Sequence, residues 1–115
     1  MKIAIVGSRN FNDFDKLEKF IFSKVSLEEI ELIVSGGASG ADNLAERFAY
    51  RHNLPKKVFK PDWNKYGKSA GFVRNKLIIE NADIVFAFWD GESKGTLISI
   101  NIAKELNKKL YICNF

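Results

Sequence analysis

The stretch IELIVSGGASGADNLAE, residues 30–46, joins an apolar, β-branched run to a helical pattern through three glycines. IELIV (30–34) is short and almost continuously hydrophobic, as a strand covered on both faces should be. Leu44, Ala45, Phe48 and Ala49 then recur at helical spacing, so strand gives way to helix across SGGASG. In such a turn the unpaired N–H groups of Gly36, Gly37, Ser39 and Gly40 and the helix dipole favour phosphate or carboxylate. The same residues also have an ordinary use, because Ser39 with Asp42 three positions later fits a capping box.

The strand-to-helix alternation continues in both directions. KIAIV (2–6), KKVFK (56–60), DIVFAF (83–88) and KLYIC (109–113) read as four further strands. Phe14, Leu17, Ile21 and Val25 mark a first helix; Val73 and Leu77 mark a third; Ile98, Ile102 and Leu106 mark a fourth. Strand and helix in strict alternation predict an α/β fold, a single Rossmann-like three-layer sandwich over residues 1–115. Its five-stranded parallel sheet is expected in the order 3-2-1-4-5. Ligands in such sheets sit beyond the carboxyl ends of the strands where the order reverses, here between the first and fourth strands. The loops GSRNF (7–11) and WDGESKGT (89–96) border that point, with VSGGASGAD beside them.

Composition narrows the chemistry. At 115 residues the chain suits one domain, and no apolar run approaches the roughly 20 residues that span a bilayer. The N-terminal apolar run ends at Gly7 after a few residues, which fits a strand rather than a signal peptide, so a cytoplasmic protein is expected. One cysteine and one histidine leave little basis for a thiolate or histidine metal site, and no metal or required cofactor is expected. The net charge of +4 favours an anionic partner without establishing nucleic acid as that partner.

Two superficially familiar patterns fail. YGKSAG contains GKS, but Asp62 occupies the position where a phosphate-cradling Walker loop needs its first glycine. No stretch matches GxGxxG, which argues against an ordinary NAD dehydrogenase. The segment PDWNKYGKSAGFVRN (61–75) is more informative. Trp63 either packs against the core edge, the commoner use of a large aromatic, or stacks on a base. Arg74 either pairs with Asp62 or Asp90 or meets a phosphate, with Asn75 beside it. Trp89 and Asp90 are delivered to the switch point by the fourth strand, where Asp90 can accept a ribose hydroxyl, act as a base or start a turn.

Taken in order, GSRNF, IVSGGASGADNLAE, PDWNKYGKSAGFVRN, ADIVFAFWDGESKGT and KKLYIC resemble the YspA/YpsA-related branch of the SLOG superfamily. That Rossmann-like group includes the LOG phosphoribohydrolases and the DNA-processing protein DprA. The resemblance implies binding of a nucleotide or nucleotide-derived ligand and a place in nucleotide signalling or conflict; the leading expectation is a monophosphate or an ADP-ribose-like molecule held by a sensor or sequestering protein. It further implies that Arg74 matches the catalytic arginine of the LOG hydrolases, and that Gly95 and Thr96 match the GT of their PGGxGTxxE phosphate loop. The glutamate of that motif is replaced by Ser99, which cannot supply the negative charge that cleavage of an N-glycosidic bond needs.

The expected ligand-binding set is therefore Gly7, Ser8, Arg9, Gly36, Gly37, Ser39, Gly40, Asp42, Trp63, Arg74, Asn75, Trp89, Asp90, Gly91, Gly95 and Thr96. Arg74 and Asp90 are the catalytic candidates if the protein is an enzyme. Phosphoribohydrolase or nucleotide N-glycosidase activity is one alternative. A single-stranded nucleic-acid module is another, motivated by Lys56, Lys57, Lys60, Lys65 and Lys68 around the third strand. Phe72, Ile78, Ile79, Leu97 and Ile100 exceed what one helix face needs, which predicts a homo-oligomer, a dimer or larger, with no membrane partner.

Overall fold

Among the residues that the computed structural model describes, 1–37 and 40–115, a sheet of five parallel strands carries helices on both faces. The strands are β1 (Lys2–Gly7), β2 (Leu32–Ser35), β3 (Lys56–Val58), β4 (Ile84–Trp89) and β5 (Lys109–Asn114), in the expected order β3-β2-β1-β4-β5. The helices are α1 (Phe14–Phe22), α2 (Ala41–Arg51), the single turn α3 (Trp63–Tyr66), α4 (Ala70–Glu80) and α5 (Lys94–Glu105). None is long and apolar enough to cross a membrane.

Period-two alternation along each strand sends side chains to two cores. Ile3, Ile5, Ile33, Ile84, Phe86 and Phe88 face α1 and α2, where Phe11, Phe14 and Phe48 complete a phenylalanine-rich layer. Ala4, Val6, Val34, Val85 and Ala87 face the other way, against Ile78, Ile79, Ile100 and Ala103 of α4 and α5. One aromatic stack has a direct bearing on the switch point. Phe11 lies 4.9 Å from Phe88, nearly parallel to it, and both are fully buried. A buried phenylalanine contributes roughly 1.5–3 kcal/mol, so this stack pins the loop after β1 to the end of β4.

Two elements differ from the sequence reading for local reasons. β3 stops at Val58, and although the Phe59 N–H still donates to Ser35 O at 2.9 Å, Pro61 has no donor with which to continue the ladder. The turn α3 was not anticipated; the Asp62 side chain caps it by accepting from the Lys65 N–H at 3.1 Å.

The buried faces of α4 and α5 also differ from the expected stripes. Of the expected residues Ile102 is buried, but Leu77, Ile98 and Leu106 are exposed and Val73 is half-buried, whereas Ala70, Ile78, Ile79, Thr96, Ser99, Ile100 and Ala103 also point inward. The two helices pack on the sheet and on each other, and small polar residues take inward positions that an apolar stripe does not count. Ile78, Ile79 and Ile100 are thus core residues of this chain and are corrected out of the expected oligomer face. Phe72 and Leu97 remain on the outside.

Candidate functional site

Three loops meet at the carboxyl ends of β1 and β4. Ser8, fully buried, holds them together: its N–H donates to Phe88 O at 2.9 Å, its carbonyl accepts from the Phe11 and Ala41 N–H groups, and its Oγ accepts from the Asp90 N–H at 3.3 Å. Asp90 then folds the WDGES loop back on itself, because its Oδ1 accepts from the N–H groups of Glu92 at 2.9 Å and Ser93 at 2.8 Å. Those bonds, Ser93 first, hold the Asp90 carboxyl below its ordinary range, which favours a fixed carboxylate over a proton acceptor near neutral pH. Trp89 braces the same loop by donating from Nε1 to Ser93 O at 3.0 Å. Ser93 in turn caps α5, accepting from the Thr96 N–H and lying 3.1 Å from Thr96 Oγ1.

The glycines of the second loop make room for the protein itself. A Cβ on Gly36 would lie 2.6 Å from Arg74 Nη1 and 2.9 Å from Asp42 Oδ2. Gly40, with φ of +75°, sits under the β1 loop, where a Cβ would be 2.5 Å from both Ser8 O and Arg9 O. Gly7 is similarly closed in by Phe88 O and Ala41. Gly95 is different, since a Cβ there would meet nothing within 4 Å. Its surroundings are open space at the start of α5.

Arg74 reaches across from α4. Its Nη1 donates to Gly36 O and its Nε to Asn75 Oδ1, both at 2.8 Å. Partial burial pushes its pKa down, Asp42 offsets that, and Arg9 adds to it, which places the two guanidiniums within electrostatic reach of one another. Arginine nevertheless stays protonated at neutral pH. The ion pairs among the described residues join the N-terminus to Glu31, Arg51 and His52 to Glu18, and Lys56 to Glu46, all away from this point. Two cations therefore converge without an ion-pair partner among them.

A crevice of about 460 Å³ opens here, lined by Gly7, Ser8, Arg9, Asp42, Arg74, Asn75, Asp90, Gly95 and Thr96 of the expected set. A second groove of about 720 Å³ continues from it past Gly36, Gly37, Lys60, Trp63, Lys68, Phe72 and Ile98, sharing Arg9, Arg74, Asn75 and Gly95. The crevice has two cations and two carboxylates; the groove has four cations, Arg9, Lys60, Lys68 and Arg74, and no carboxylate. Trp63 is 60% exposed and Phe72 51%, so Trp63 does not plug the core edge.

Gly40, Trp89 and Gly91 support the loops without lining either cavity, and Ser39, with the capping box assigned to it, lies outside the described residues. Gly40 stands at the N-cap of α2. Ser93, from the WDGESKGT loop, and Ser99, at the glutamate position of the phosphate loop, line the crevice, and Lys60 and Lys68, which motivated the nucleic-acid alternative, line the groove; Asn10 and Phe72 join the site without having been expected there.

The glycines yield a paired prediction. Gly40→Ala should lower stability by about 1–3 kcal/mol, since backbone oxygens must move and φ is positive. Gly36→Ala should cost less than Gly40→Ala, because the obstacles are side-chain ends, the Arg74 guanidinium and the Asp42 carboxylate, rather than backbone, and its φ is not positive. Urea midpoints measure both, and equal losses would contradict the assignment.

The model of the YspA, cpYpsA-related SLOG family (YAcAr) matches residues 1–66, which include β1, β2, the loop carrying Arg9 and the first turn of α2 with Asp42. The Gene 61 protein of Mycobacterium phage D29 is 32% identical over 102 residues, covering 83% of this chain and 82% of that protein. Among solved structures, DNA processing protein A of Streptococcus pneumoniae superposes with a TM-score of 0.78 at 24% identity, over 96% of this chain and 49% of its own. DNA processing protein A of Helicobacter pylori, described for its single-stranded DNA binding mode, gives 0.72 at 23%, over 97% of this chain and 64% of its own. The chain thus spans about half of one of these structures and less than two thirds of the other, and the likeness is one of fold. With the family model matching more than half its length and a relative aligned along most of it, this chain belongs to the YspA, cpYpsA-related SLOG family.

Proposed function

We propose that the crevice binds a nucleotide unit, with its phosphate held between Arg9 and Arg74 and its sugar directed inward. The observation that carries this reading is the convergence of two guanidiniums, neither engaged in an ion pair among the described residues, on a cavity of nucleotide size at the sheet's switch point. Gly95 supports it, since its open surroundings let a ligand approach the N-terminus of α5. Free nucleotides of the monophosphate or ADP-ribose type are the first ligand class, and the protein's role is that of a sensor or sequestering protein. Binding without cleavage is favoured over N-glycoside hydrolysis because Ser99 is a hydroxyl and the Asp90 carboxylate is engaged by backbone N–H groups.

A second reading, a single-stranded nucleic-acid module, is favoured by the adjoining groove. Four cations and two exposed aromatics in one channel match the combination by which proteins track a phosphate backbone and stack bases. The described binding mode of the Helicobacter pylori neighbour is in keeping with it.

Calorimetry with AMP, ADP-ribose, NAD and a short oligonucleotide tests both readings. Arg74→Ala should weaken binding of the preferred nucleotide by about 10- to 100-fold, the loss expected for a charged hydrogen bond. Absence of heat with every ligand, at concentrations where a Kd of about 100 μM registers, would overturn the proposal. Release of free base, followed by chromatography, would replace binding with hydrolysis. Oligonucleotide affinity that falls steeply between about 50 and 200 mM salt would favour the strand, because each phosphate contact releases counterions.

Self-association belongs to the same proposal, through the outward residues Phe72, Leu77 and Leu97 of α4 and α5. Light scattering should return at least twice the chain mass of 13.1 kDa, and Leu97→Glu should lower it without unfolding. A monomer at micromolar concentration would remove the oligomer.

A further inference from the structure

The residues lining the crevice divide by exposure into a rim and a floor. Arg9, Asn10 and Gly95 are exposed at the rim, while Val6, Ser8, Asp42, Ile78, Thr96 and Ser99 are buried. The floor carries one carboxylate, Asp42, and neither a cation nor an aromatic ring. A phosphate has no cation to meet there, and a base has no ring to stack on; a sugar, which offers hydroxyls along a partly apolar ring, fits best.

Three hydroxyls lie on this floor, and two are in use. Ser8 Oγ accepts from the Asp90 N–H, and Thr96 Oγ1 pairs with Ser93 Oγ. Ser99 is only 2% exposed, lines the crevice and makes no hydrogen bond with the described residues. Serine within a helix can return its hydroxyl to a carbonyl one turn earlier, as Asn81 does with its amide to Leu77 O, but Ser99 does not. The residue is nearly buried while its hydroxyl, which has no partner among the described residues, faces a cavity large enough for a ligand and is available to hydrogen-bond one. The carboxylates are less suited to the role: Asp90 Oδ1 already accepts two N–H groups, and Asp42 lies against Gly36 and Arg74.

We propose that Ser99 reads the sugar of the bound nucleotide, exchanging a hydrogen bond with a ribose hydroxyl and so selecting ribonucleotides over deoxyribonucleotides. The proposal rests on the nucleotide reading of the crevice and adds to it the substrate class and the residue that determines it. Ser99 acts here in recognition, with no part in bond cleavage.

The test compares wild type and Ser99→Ala against AMP, 2′-deoxy-AMP and 3′-deoxy-AMP by calorimetry. Wild type should prefer AMP to at least one deoxy analogue by roughly 5- to 10-fold, the value of one neutral hydrogen bond. Ser99→Ala should lose that preference by weakening AMP alone. Its melting temperature without ligand should not fall, because the hydroxyl removed has no partner in the folded protein. Equal affinity of wild type for all three nucleotides, or a preference that survives in Ser99→Ala, would overturn the role of Ser99 and leave the crevice a nucleotide site. Failure of wild type to bind any of them would overturn the nucleotide reading itself, and the role of Ser99 with it.

Discussion

Arg74 can lie against the end of β2 only because residue 36 has no side chain. Its guanidinium and the Asp42 carboxylate both occupy the volume that a Cβ would claim, so glycine here serves an internal contact. The remainder of the site follows from that approach. Arg74 crosses from α4 to the β2 loop and donates to Gly36 O, and this brings a cation from one face of the sheet toward Arg9 from the β1 loop. Ser8 does the equivalent for the backbone, joining β1, β4 and the start of α2 around one buried residue.

Charge is distributed along the two cavities in a way that assigns them different tasks. Carboxylates accompany the arginines in the crevice, whereas the groove toward Trp63 is cationic throughout. On the proposed reading the cations shared by both cavities take the phosphate, with hydroxyls and the Asp42 carboxylate inward and aromatics outward. A free nucleotide would use the inward half, and a strand both. Ribose selectivity at the floor bears on that choice, because a site that reads a sugar hydroxyl discriminates against DNA whatever the groove contributes.

Much of this was legible in the sequence, for identifiable reasons. Buried strands of a parallel sheet are continuous apolar runs, so IELIV and DIVFAF located the sheet, and the alternation of strand and helix made it parallel. The switch-point rule places Gly7 to Arg9 and Asp90 to Thr96 at a common edge from the sequence alone. Helix faces were less legible. Leu77 and Ile98 fit an apolar stripe yet lie outside, while Thr96 and Ser99 lie inside, because packing between α4 and α5 and the presence of a cavity decide burial there. The roles of individual glycines were also hidden: Gly36, Gly40 and Gly95 look alike in sequence, but their neighbours are a guanidinium, two carbonyl oxygens and open space. Only the last matches the ligand-clearing purpose that a glycine-rich turn suggests.

The central claim is that Arg9 and Arg74 form an anion site with an internal placeholder, the Gly36 carbonyl. A crystal structure of the protein soaked with AMP tests it most directly. The phosphate should lie within hydrogen-bond distance of both guanidiniums, about 2.7–2.9 Å for charged pairs, with the ribose toward Ser99. AMP bound with its phosphate away from both arginines, or an occupied crevice in which Arg74 contacts only Gly36 O and Asn75, would contradict the account.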